Sequence, residues 1–430
     1  MRIAIIGAGI AGNGAAAALA HAGFDITVYE REPRPGGHSA TLDIAYDGAP
    51  IAVDTGFIVY NEGNYPNLTR AFAALGVPTK QSSMSFSVSI DGGRLEWAGR
   101  ETAVFGGLFA QRGNIVSPGF LGMLTQVLRF QRQAKADRRI GALAGSLGDY
   151  LDAHRFSARL RDHYVLPMGA AIWSMSASAV LDFPVESFVA FFDNHRLLDW
   201  ERPRWRTVEG GSRVYVEKLQ RPFARAVRLN ARVAAVNRLA AGVEVVDAQG
   251  GRDVFDEVVI ATHAPQALAM LGAPTPDERA VLGAMRTSDN AVVLHRDPAL
   301  MPRRRAAWAA WNTLADTRRP DAPVCVTYWM NALQGIPADK PLFVSLNPPI
   351  EPQPELTFAR MSYAHPQFDP AAIAAQKRLD SIQGRDRIWF CGAWTAYGFH
   401  EDGLASGLAV AARLGGVAPW AASALPLAAE

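Results

Sequence analysis

Three glycines near the N-terminus, Gly7, Gly9 and Gly12, have the spacing of a loop that binds the pyrophosphate of a dinucleotide. They directly follow an apolar run at 3–6 that is typical of a buried strand. Gly7 permits a tight turn, and Gly9 lets the backbone approach a pyrophosphate. Gly12 lets a helix pack closely on the strand. The spacing therefore predicts nucleotide binding at this loop.

A helix and a second strand must hold this loop in place. The alanine-rich stretch predicts a helix over 12–22, and its free N–H groups and positive dipole end point at phosphate near Ile10 and Ala11. The segment 25–30 predicts the second strand and ends at Glu30, whose carboxylate can accept hydrogen bonds from an adenosine ribose. Because these parts occur in order, the sequence predicts a dinucleotide-binding βαβ unit.

The residues after this acid distinguish between dinucleotides. A nicotinamide-binding domain would normally continue into another crossover helix, whereas here Arg31 is followed by the pair Gly36-Gly37 and by His38. Paired glycines let the loop fold back along the pyrophosphate and ribityl chain of a longer cofactor. The pattern favours FAD, with this loop as part of its binding site.

A second motif lies near the C-terminus. An apolar strand at 387–391 is followed by a glycine, a loop with Tyr397 and His400, and a predicted helix. The N–H groups at the start of such a helix can stabilise negative charge.

Together these motifs resemble the flavin amine oxidase superfamily, which also holds protoporphyrinogen oxidases and carotenoid desaturases. The segments 38–41, 53–61 and 398–403 are similar to a bacterial branch of NAD/FAD-binding, amine-oxidase-like flavoproteins. Some members of that branch are associated with enzymes that modify membrane fatty acids. Relatives usually have an arginine where this chain has His38, so that arginine's phosphate contact does not carry over directly.

The resemblance implies further cofactor contacts, among them Gly392, Ala393, Gly403 and Leu404 of the C-terminal motif. The C-terminal helix is expected to point its N-terminus, near 403–404, at the pyrimidine edge of the flavin, and Val233 is expected to touch the adenine through its backbone. The other residues that the matching motifs place at FAD are Thr55, Gly56, Phe57 and Thr262.

The resemblance also implies an α/β fold with two domains. A Rossmann-like FAD-binding domain is assembled from the discontinuous segments 1–75, 206–267 and 385–420. The segments 76–205 and 268–384 form an α+β substrate domain. Alternating apolar stretches at 291–295, 324–329 and 342–346 predict an antiparallel sheet there, and helical patterns cover 120–136 and 147–156.

Three side chains are candidates for catalysis. Flavin chemistry needs a donor C–H held over the ring, and often no protein base. By motif position, Tyr60, Tyr397 and His400 lie near the flavin. His400, with an ordinary pKa of about 6.5, can shuttle a proton or can simply bond the flavin loop. His365, which precedes Pro366, is expected to hold a turn.

Two classes of function follow. The first is an FAD-dependent oxidoreductase that accepts hydride from an apolar, fatty-acyl or other lipid-derived substrate and passes electrons to an acceptor that the sequence does not identify. The alternative is a flavin amine oxidase acting on a small amine or polyamine, with Tyr60, Trp394 and Tyr397 as a cation-binding cage. A lysine that many amine oxidases place near the flavin has no counterpart in these motifs, which favours the first class.

Composition restricts the partners. The 43 basic and 41 acidic residues give a net charge of +2, so we expect no nucleic-acid partner. The chain has no run of about 18 apolar residues and begins with a strand rather than a signal peptide, which predicts a cytoplasmic protein. Cys325 and Cys391 are far apart, so we expect no metal and no covalent link to FAD.

The stretch 106–139 combines an apolar part with a basic end. A core helix with a solvated end would have this pattern. An amphipathic helix lying on an anionic membrane would have it too, and would open a route for an acyl substrate. Peripheral contact with the cytoplasmic face of a membrane is therefore one of two expectations for this stretch.

Overall fold

A parallel sheet forms the centre of the nucleotide-binding half of the computed structural model, which describes residues 1–99, 104–199 and 203–421. Its five strands, in spatial order, are Val227–Arg228, Asp25–Tyr29, Arg2–Ile6, Glu257–Ile260 and Ile388–Phe390. The strands are short and largely apolar, as expected for parallel strands covered on both faces. They come from all three segments predicted for the FAD-binding domain, whose limits remain a prediction.

Two layers cover this sheet. On one face, Ile3 and Ile5 pack against the glycine helix Ile10–His21 and the C-terminal helix His400–Arg413. On the other face, the alternate residues Ala4 and Ile6 pack against an antiparallel meander and nearby helices, because successive side chains of a strand point to opposite faces. The meander consists of Val233–Leu239, Gly242–Asp247 and Arg252–Phe255.

A seven-stranded sheet forms the second half. Its strands, in spatial order, are Thr357–Pro366, Thr287–His295, Phe343–Leu346, Cys325–Trp329, Trp311–Ala315, Phe86–Ile90 and Leu95–Gly99. The predicted antiparallel pairing is confirmed for every neighbouring pair but one. Trp311–Ala315 and Phe86–Ile90 are parallel. These two strands belong to different insertions, so no hairpin turn fixes their relative direction.

Helices from the earlier insertion cover this sheet. The predicted helix over 120–136 is confirmed as Pro118–Arg139, which begins where the Ser117 hydroxyl accepts a bond from the Phe120 N–H. Its buried face includes Met123, Val127 and Phe130. The other α-helices of this insertion are Val104–Leu108, Leu147–Ala153, Ala158–Leu160, Leu166–Trp173, Ala177–Leu181 and Val185–Asn194.

Smaller elements connect the two halves. They include the hairpin Thr41–Tyr46 and Ala49–Asp54 and the small sheet Val59–Asn61, Trp205–Val208 and Thr79–Ser82. The remaining α-helices are Pro66–Leu75, Arg213–Gln220, Ala264–Met270, Pro276–Ala284, Met330–Gln334 and Pro370–Gln376. Among the helices of the described residues, none combines the length and apolarity needed to cross a bilayer.

Candidate cofactor and active site

A cavity of about 1790 Å³ extends from the glycine loop to the seven-stranded sheet. Pockets for one small ligand usually measure about 300 to 1,000 Å³. The cavity is therefore large enough for a dinucleotide at one end and a substrate at the other. We call these its nucleotide end and its substrate end.

The three glycines of the loop have different surroundings. A Cβ built on Gly12 would lie 1.8 Å from the Gly7 carbonyl oxygen, so Gly12 permits close packing of helix on strand, as predicted. A Cβ built on Gly9 meets no atom within 4 Å, and Gly9 lines the cavity. Gly37 lies against Gly9, since a Cβ added to Gly37 would lie 3.2 Å from the Gly9 Cα. The backbone thus forms an open cradle at Gly9, where a pyrophosphate would approach.

The carboxylate of Glu30 holds this cradle. One oxygen accepts a hydrogen bond from the Ala8 N–H at 2.9 Å, and the other accepts one from the Glu32 N–H at 3.0 Å. Each carboxylate oxygen has a further lone pair for a ribose hydroxyl. Arg31 also lines the cavity, but its exposed side chain pairs with Glu32 at 3.0 Å.

The strand proposed to contact adenine has a β-bulge at Val233, the residue predicted to touch the adenine. Val233 lines the cavity, and the register of its strand shifts between Val233 and Ala235. Such a bulge leaves backbone groups unpaired within the ladder. The N–H of Ala231 also bonds the carbonyl of Glu30 at 2.8 Å, which fixes this strand beside the ribose acid.

Two loops cross beside the cradle. The Phe57 N–H bonds the His38 carbonyl at 2.8 Å, and a Cβ on Gly56 would lie 2.2 Å from the same oxygen. Thr55 bonds the Tyr363 hydroxyl at 2.7 Å, which ties the crossing to the substrate domain. The predicted segment of Thr55, Gly56 and Phe57 therefore lies directly against the Gly-Gly-His loop.

A cluster of uncharged imidazoles lines the cavity next to this crossing. The ring of His38 lies 5.9 Å from His263, 5.6 Å from His365 and 5.1 Å from Tyr363. Burial, together with His263, lowers the pKa of His38 to about 4. Burial likewise lowers the pKa of His263 to about 4 and that of His365 to about 3. All three are neutral near pH 7 and can donate hydrogen bonds without carrying charge.

The expectation for His365 was wrong. It lies within the strand Thr357–Pro366, paired with Ser288, rather than in a turn. Its Nδ1 lies 2.9 Å from the Ser174 hydroxyl, and its ring lines the cavity. A proline at this position predicts a turn, but Pro366 is the last residue of the strand, a position that tolerates proline.

His400 lines the cavity but is held by the protein. Its Nε2 lies 2.6 Å from the Tyr215 hydroxyl and 3.3 Å from the Ser39 hydroxyl, and its ring stacks on Phe57 with 3.9 Å between centroids. Burial, with a contribution from His38, lowers its pKa to about 3. The expectation of a histidine titrating near neutral pH does not fit this environment. With this pKa the ring is uncharged near pH 7, and its contacts tie the loop to Tyr215, Ser39 and Phe57, while a role of His400 in proton transfer stays a prediction.

The C-terminal helix begins earlier than expected. Its first residue is His400, so its N-terminal N–H groups meet the cavity near Phe399 and His400 rather than at 403–404. Gly403 packs on the glycine helix, where an added Cβ would lie 2.8 Å from Ile10, and Leu404 is fully buried against Gly14. The two residues therefore pack against the glycine helix and do not line the cavity.

The three remaining candidates occupy different places. Tyr60 was expected at the flavin, but its side chain is buried against Phe72 and Tyr65 at 5.1 and 6.3 Å between ring centroids, outside the cavity lining. Tyr397 lines the substrate end. Trp394 touches the cavity, but its indole N–H is bound to the Thr262 carbonyl at 3.0 Å. These three rings do not form the cage that the amine alternative required.

Most predicted cofactor residues do line the cavity. They are Gly7, Gly9, Ile10, Ala11, Glu30, Arg31, Gly36, Gly37, His38, Thr55, Gly56, Phe57, Val233, Thr262, Gly392 and Ala393. Sequence reasoning missed Tyr215 and Ser39, whose hydroxyls lie within hydrogen-bonding distance of each other and of His400. No local motif marks these residues, because they are brought together over long separations along the chain.

These features define a class of protein: a dinucleotide-binding flavoprotein fold with a substrate cavity beside the nucleotide. The model of the family "Flavin containing amine oxidoreductase" matches residues 10–294, more than half of the chain. The chain belongs to this family, and its cofactor is FAD. The predicted resemblance, the α/β fold class and the oxidoreductase class are thereby confirmed.

Solved structures share the whole fold at low identity. A putrescine oxidase bound to putrescine is 15% identical, covers 96% of this chain and 99% of its own, and has a TM-score of 0.69. The cyclohexylamine oxidase from Brevibacterium oxydans IH-35A is 15% identical, covers 96% of this chain and 98% of its own, and has a TM-score of 0.66. A CLA-producing fatty acid isomerase from P. acnes is 15% identical, covers 96% of this chain and 98% of its own, and has a TM-score of 0.67. These similarities establish the fold.

A short match connects the chain to another kind of enzyme. Over 36 residues it is 56% identical to the NAD-dependent dihydropyrimidine dehydrogenase subunit PreT of Salmonella typhimurium, and to the PreT homolog of Salmonella typhi. The match spans 8% of this chain and 9% of the length of those relatives. It is a local similarity and carries no activity to this protein.

The residues present fit FAD. The cradle at Gly9 is open, and the glycine helix has no side-chain cap and no acid in its first turn, so its N–H groups are available to phosphate. The buried Nε2 of His38 has no hydrogen-bond partner within the described part of the chain. A buried polar atom without a partner is costly, and a cofactor that supplies one removes this cost.

Replacing His400 by alanine is expected to leave FAD bound, because the cradle and Glu30 are untouched. It should change the rates of flavin reduction and reoxidation by the same factor at every pH from 6 to 9, since a group with a pKa of about 3 does not titrate there. Rapid-mixing measurements across this range test the prediction. The exposed His21→Ala serves as a control. An inflection near neutral pH that only His400→Ala abolishes would show that His400 does titrate there.

Proposed function

We propose that this protein is an FAD-dependent oxidoreductase that accepts hydride from an apolar, fatty-acyl or other lipid-derived substrate. The observation that carries the proposal is the lining of the substrate end. Apolar side chains from the helical insertion and from the seven-stranded sheet meet there: Met123, Leu124, Val127, Met168, Ile172, Val292 and Met361. Burying a hydrocarbon chain against such walls is favourable in proportion to the apolar area removed from water.

Two titratable side chains at this end, Asp199 and His195, are engaged by neighbouring groups. Asp199 lines the cavity, but its carboxylate forms an ion pair with Lys135. His195 stacks on Phe191, and burial lowers its pKa to about 4. Neither group offers a free negative charge to a cationic amine.

The amine alternative has less support. A protonated amine is usually held by a carboxylate or by a cage of aromatic faces. Tyr60, one member of the expected cage, lies outside the cavity lining, and no lysine is present among the described residues that line the cavity. The fold itself does not decide, because the similar structures include amine oxidases and a fatty acid isomerase.

The chain's own residues position and enclose the reactants. FAD, when bound, supplies the two-electron acceptor. The apolar walls would exclude water from the reacting C–H, and Tyr397 and Phe399, which line the cavity beside the start of the C-terminal helix, would border the substrate. His38 and His365 can donate hydrogen bonds without charge to the cofactor or to a polar end of the substrate.

A charge placed in the substrate end tests the proposal through ligand affinity, without any need for turnover. Met361→Asp places a carboxylate on the cavity wall. It is expected to weaken the binding of a long-chain fatty acid or its ester by at least about tenfold, because the bound acyl chain would remove water from this carboxylate. Titration of the flavin visible spectrum measures this affinity. The same change at the exposed Val254, Val254→Asp, is the control. Wild-type protein that binds putrescine but no acyl ligand would refute the proposal.

A further inference from the structure

The surface outside the helix Pro118–Arg139 carries an unusual concentration of exposed apolar side chains. Ten large hydrophobic residues are exposed among the described residues, and four of them lie within 115–140. Ile115 is 54% exposed, Val116 is 80% exposed and Leu121 is 40% exposed. Single exposed apolar residues are ordinary, but Ile115 and Val116, in the short turn just before this helix, and Leu121, in its first turn, form an apolar patch.

Basic side chains lie beside this patch and farther along the same helix. Arg112 precedes the helix, and Arg129 and Arg132 lie on its exposed face beyond Leu121, where the Arg129 guanidinium donates to the His154 carbonyl at 2.6 Å. Arg159 packs over the first turn, where an added Cβ on Gly119 would lie 2.2 Å from its guanidinium. The helix contains one acid, Asp137, which is buried and accepts a bond from the Tyr150 hydroxyl at 2.8 Å. The exposed face of the helix is therefore positive as well as apolar.

The same helix forms a wall of the cavity. Met123, Leu124 and Val127 line the substrate end from its inner side. On its outer side, a groove of about 470 Å³ runs between Arg129 and Arg132. Leu128 contributes to the lining of both the groove and the cavity. An outer surface and the substrate end therefore meet at one helix.

We propose that this face of the protein, formed by Ile115, Val116, Leu121 and the flanking arginines, docks on an anionic lipid bilayer. The apolar side chains would enter the boundary between headgroups and acyl chains, and the arginines would meet the anionic headgroups. Apolar and basic side chains on one surface are the combination that such a bilayer contact requires. In addition, if the proposed substrate class is correct, an acyl chain would pass from the bilayer to the cavity beside Leu128.

Vesicle co-sedimentation of the FAD-loaded protein tests the docking surface. At low ionic strength, wild-type protein is expected to sediment with vesicles of phosphatidylcholine containing phosphatidylglycerol, and far less with pure phosphatidylcholine. Each of Arg112→Gln and Arg132→Gln should weaken this binding about fivefold, and high salt should remove their effect. The pair Val116→Ser with Leu121→Ser should weaken binding by at least about tenfold at either salt concentration.

Matched variants at exposed positions elsewhere are the controls. Ile350→Ser with Val417→Ser removes apolar groups of similar exposure, and Arg279→Gln with Arg319→Gln removes two exposed charges. All variants should keep the flavin spectrum and thermal stability of the wild type, because these side chains are on the surface. Vesicle binding requires no turnover, so the wrong substrate class would leave this result unchanged.

Two outcomes would overturn the docking proposal. Wild-type protein that stays in the supernatant with anionic vesicles at low salt would exclude a bilayer surface. A dimer in sedimentation velocity that the Val116→Ser and Leu121→Ser pair dissociates, without any vesicle binding, would assign the face to self-association.

Discussion

Replacing Gly9 by valine is expected to give a folded protein that has lost its FAD. The position lies in open space at the edge of the cavity, with no atom within 4 Å of an added Cβ, so the larger side chain does not disturb the fold. It would instead occupy the place of the pyrophosphate. Loss of that contact should weaken FAD binding by on the order of a hundredfold or more, or about 3 kcal/mol. Flavin absorbance per chain after purification measures it.

The neighbouring Gly12 provides the contrast. Gly12→Val would force side-chain atoms into the Gly7 carbonyl oxygen, which lies 1.8 Å from an added Cβ. This oxygen belongs to packed backbone and cannot move aside. This variant is expected to be unfolded or insoluble with or without FAD. Circular dichroism separates the two results. A yellow Gly9→Val protein with normal FAD content would show that the nucleotide lies elsewhere.

Removal of the Asp54 carboxylate is expected to cost more stability than any surface change in this protein. Asp54 is 1% exposed, and its carboxylate accepts bonds from the Thr41 hydroxyl at 2.6 Å, the Ser212 N–H at 2.8 Å and the Gln334 amide at 3.2 Å. Asp54→Ala leaves these buried donors without an acceptor. The expected loss is roughly 3 to 5 kcal/mol in the free energy of unfolding, measured in urea.

The same residue should make stability depend on pH. Burial raises the pKa of Asp54 to about 6, against the opposing effect of its hydrogen bonds. Because this folded-state pKa is above the unfolded value of about 3.8, the native state binds the proton more tightly. The stabilisation that protonated Asp54 gives the folded state is present in full below about pH 3.8 and is lost as the pH rises through about 6. Relative to Asp54→Asn, the wild type should therefore lose stability from about pH 4 to pH 7. Parallel curves would contradict this.

The parts of the site that sequence could predict are those set by local pattern. The spacing of Gly7, Gly9 and Gly12 and the acid at Glu30 depend on one βαβ unit, whose turn and strand ends leave clear signals in the sequence. The helix Pro118–Arg139 was likewise visible in its periodicity. In these cases one element determines the arrangement, and its residues are neighbours in the chain.

Other features depend on contacts that no local pattern records. The place of Tyr60 is decided within a three-residue strand: Val59 faces the cavity, so the next side chain points to the opposite face. The low pKa of His400 arises from burial and from His38, and its partner Ser39 is 361 positions away. Asp54 and Gln334 are 280 positions apart. Such networks require the folded chain.

Anaerobic reduction of the bound flavin tests the proposed function most directly. The FAD-loaded protein would be mixed without oxygen with long-chain fatty acids and acyl lipids, and in parallel with putrescine and cyclohexylamine, while the visible flavin absorbance is recorded. An oxidoreductase with an apolar substrate end should lose this absorbance with an acyl compound and keep it with both amines. Bleaching by either amine, with none by any acyl compound, would contradict the proposed substrate class.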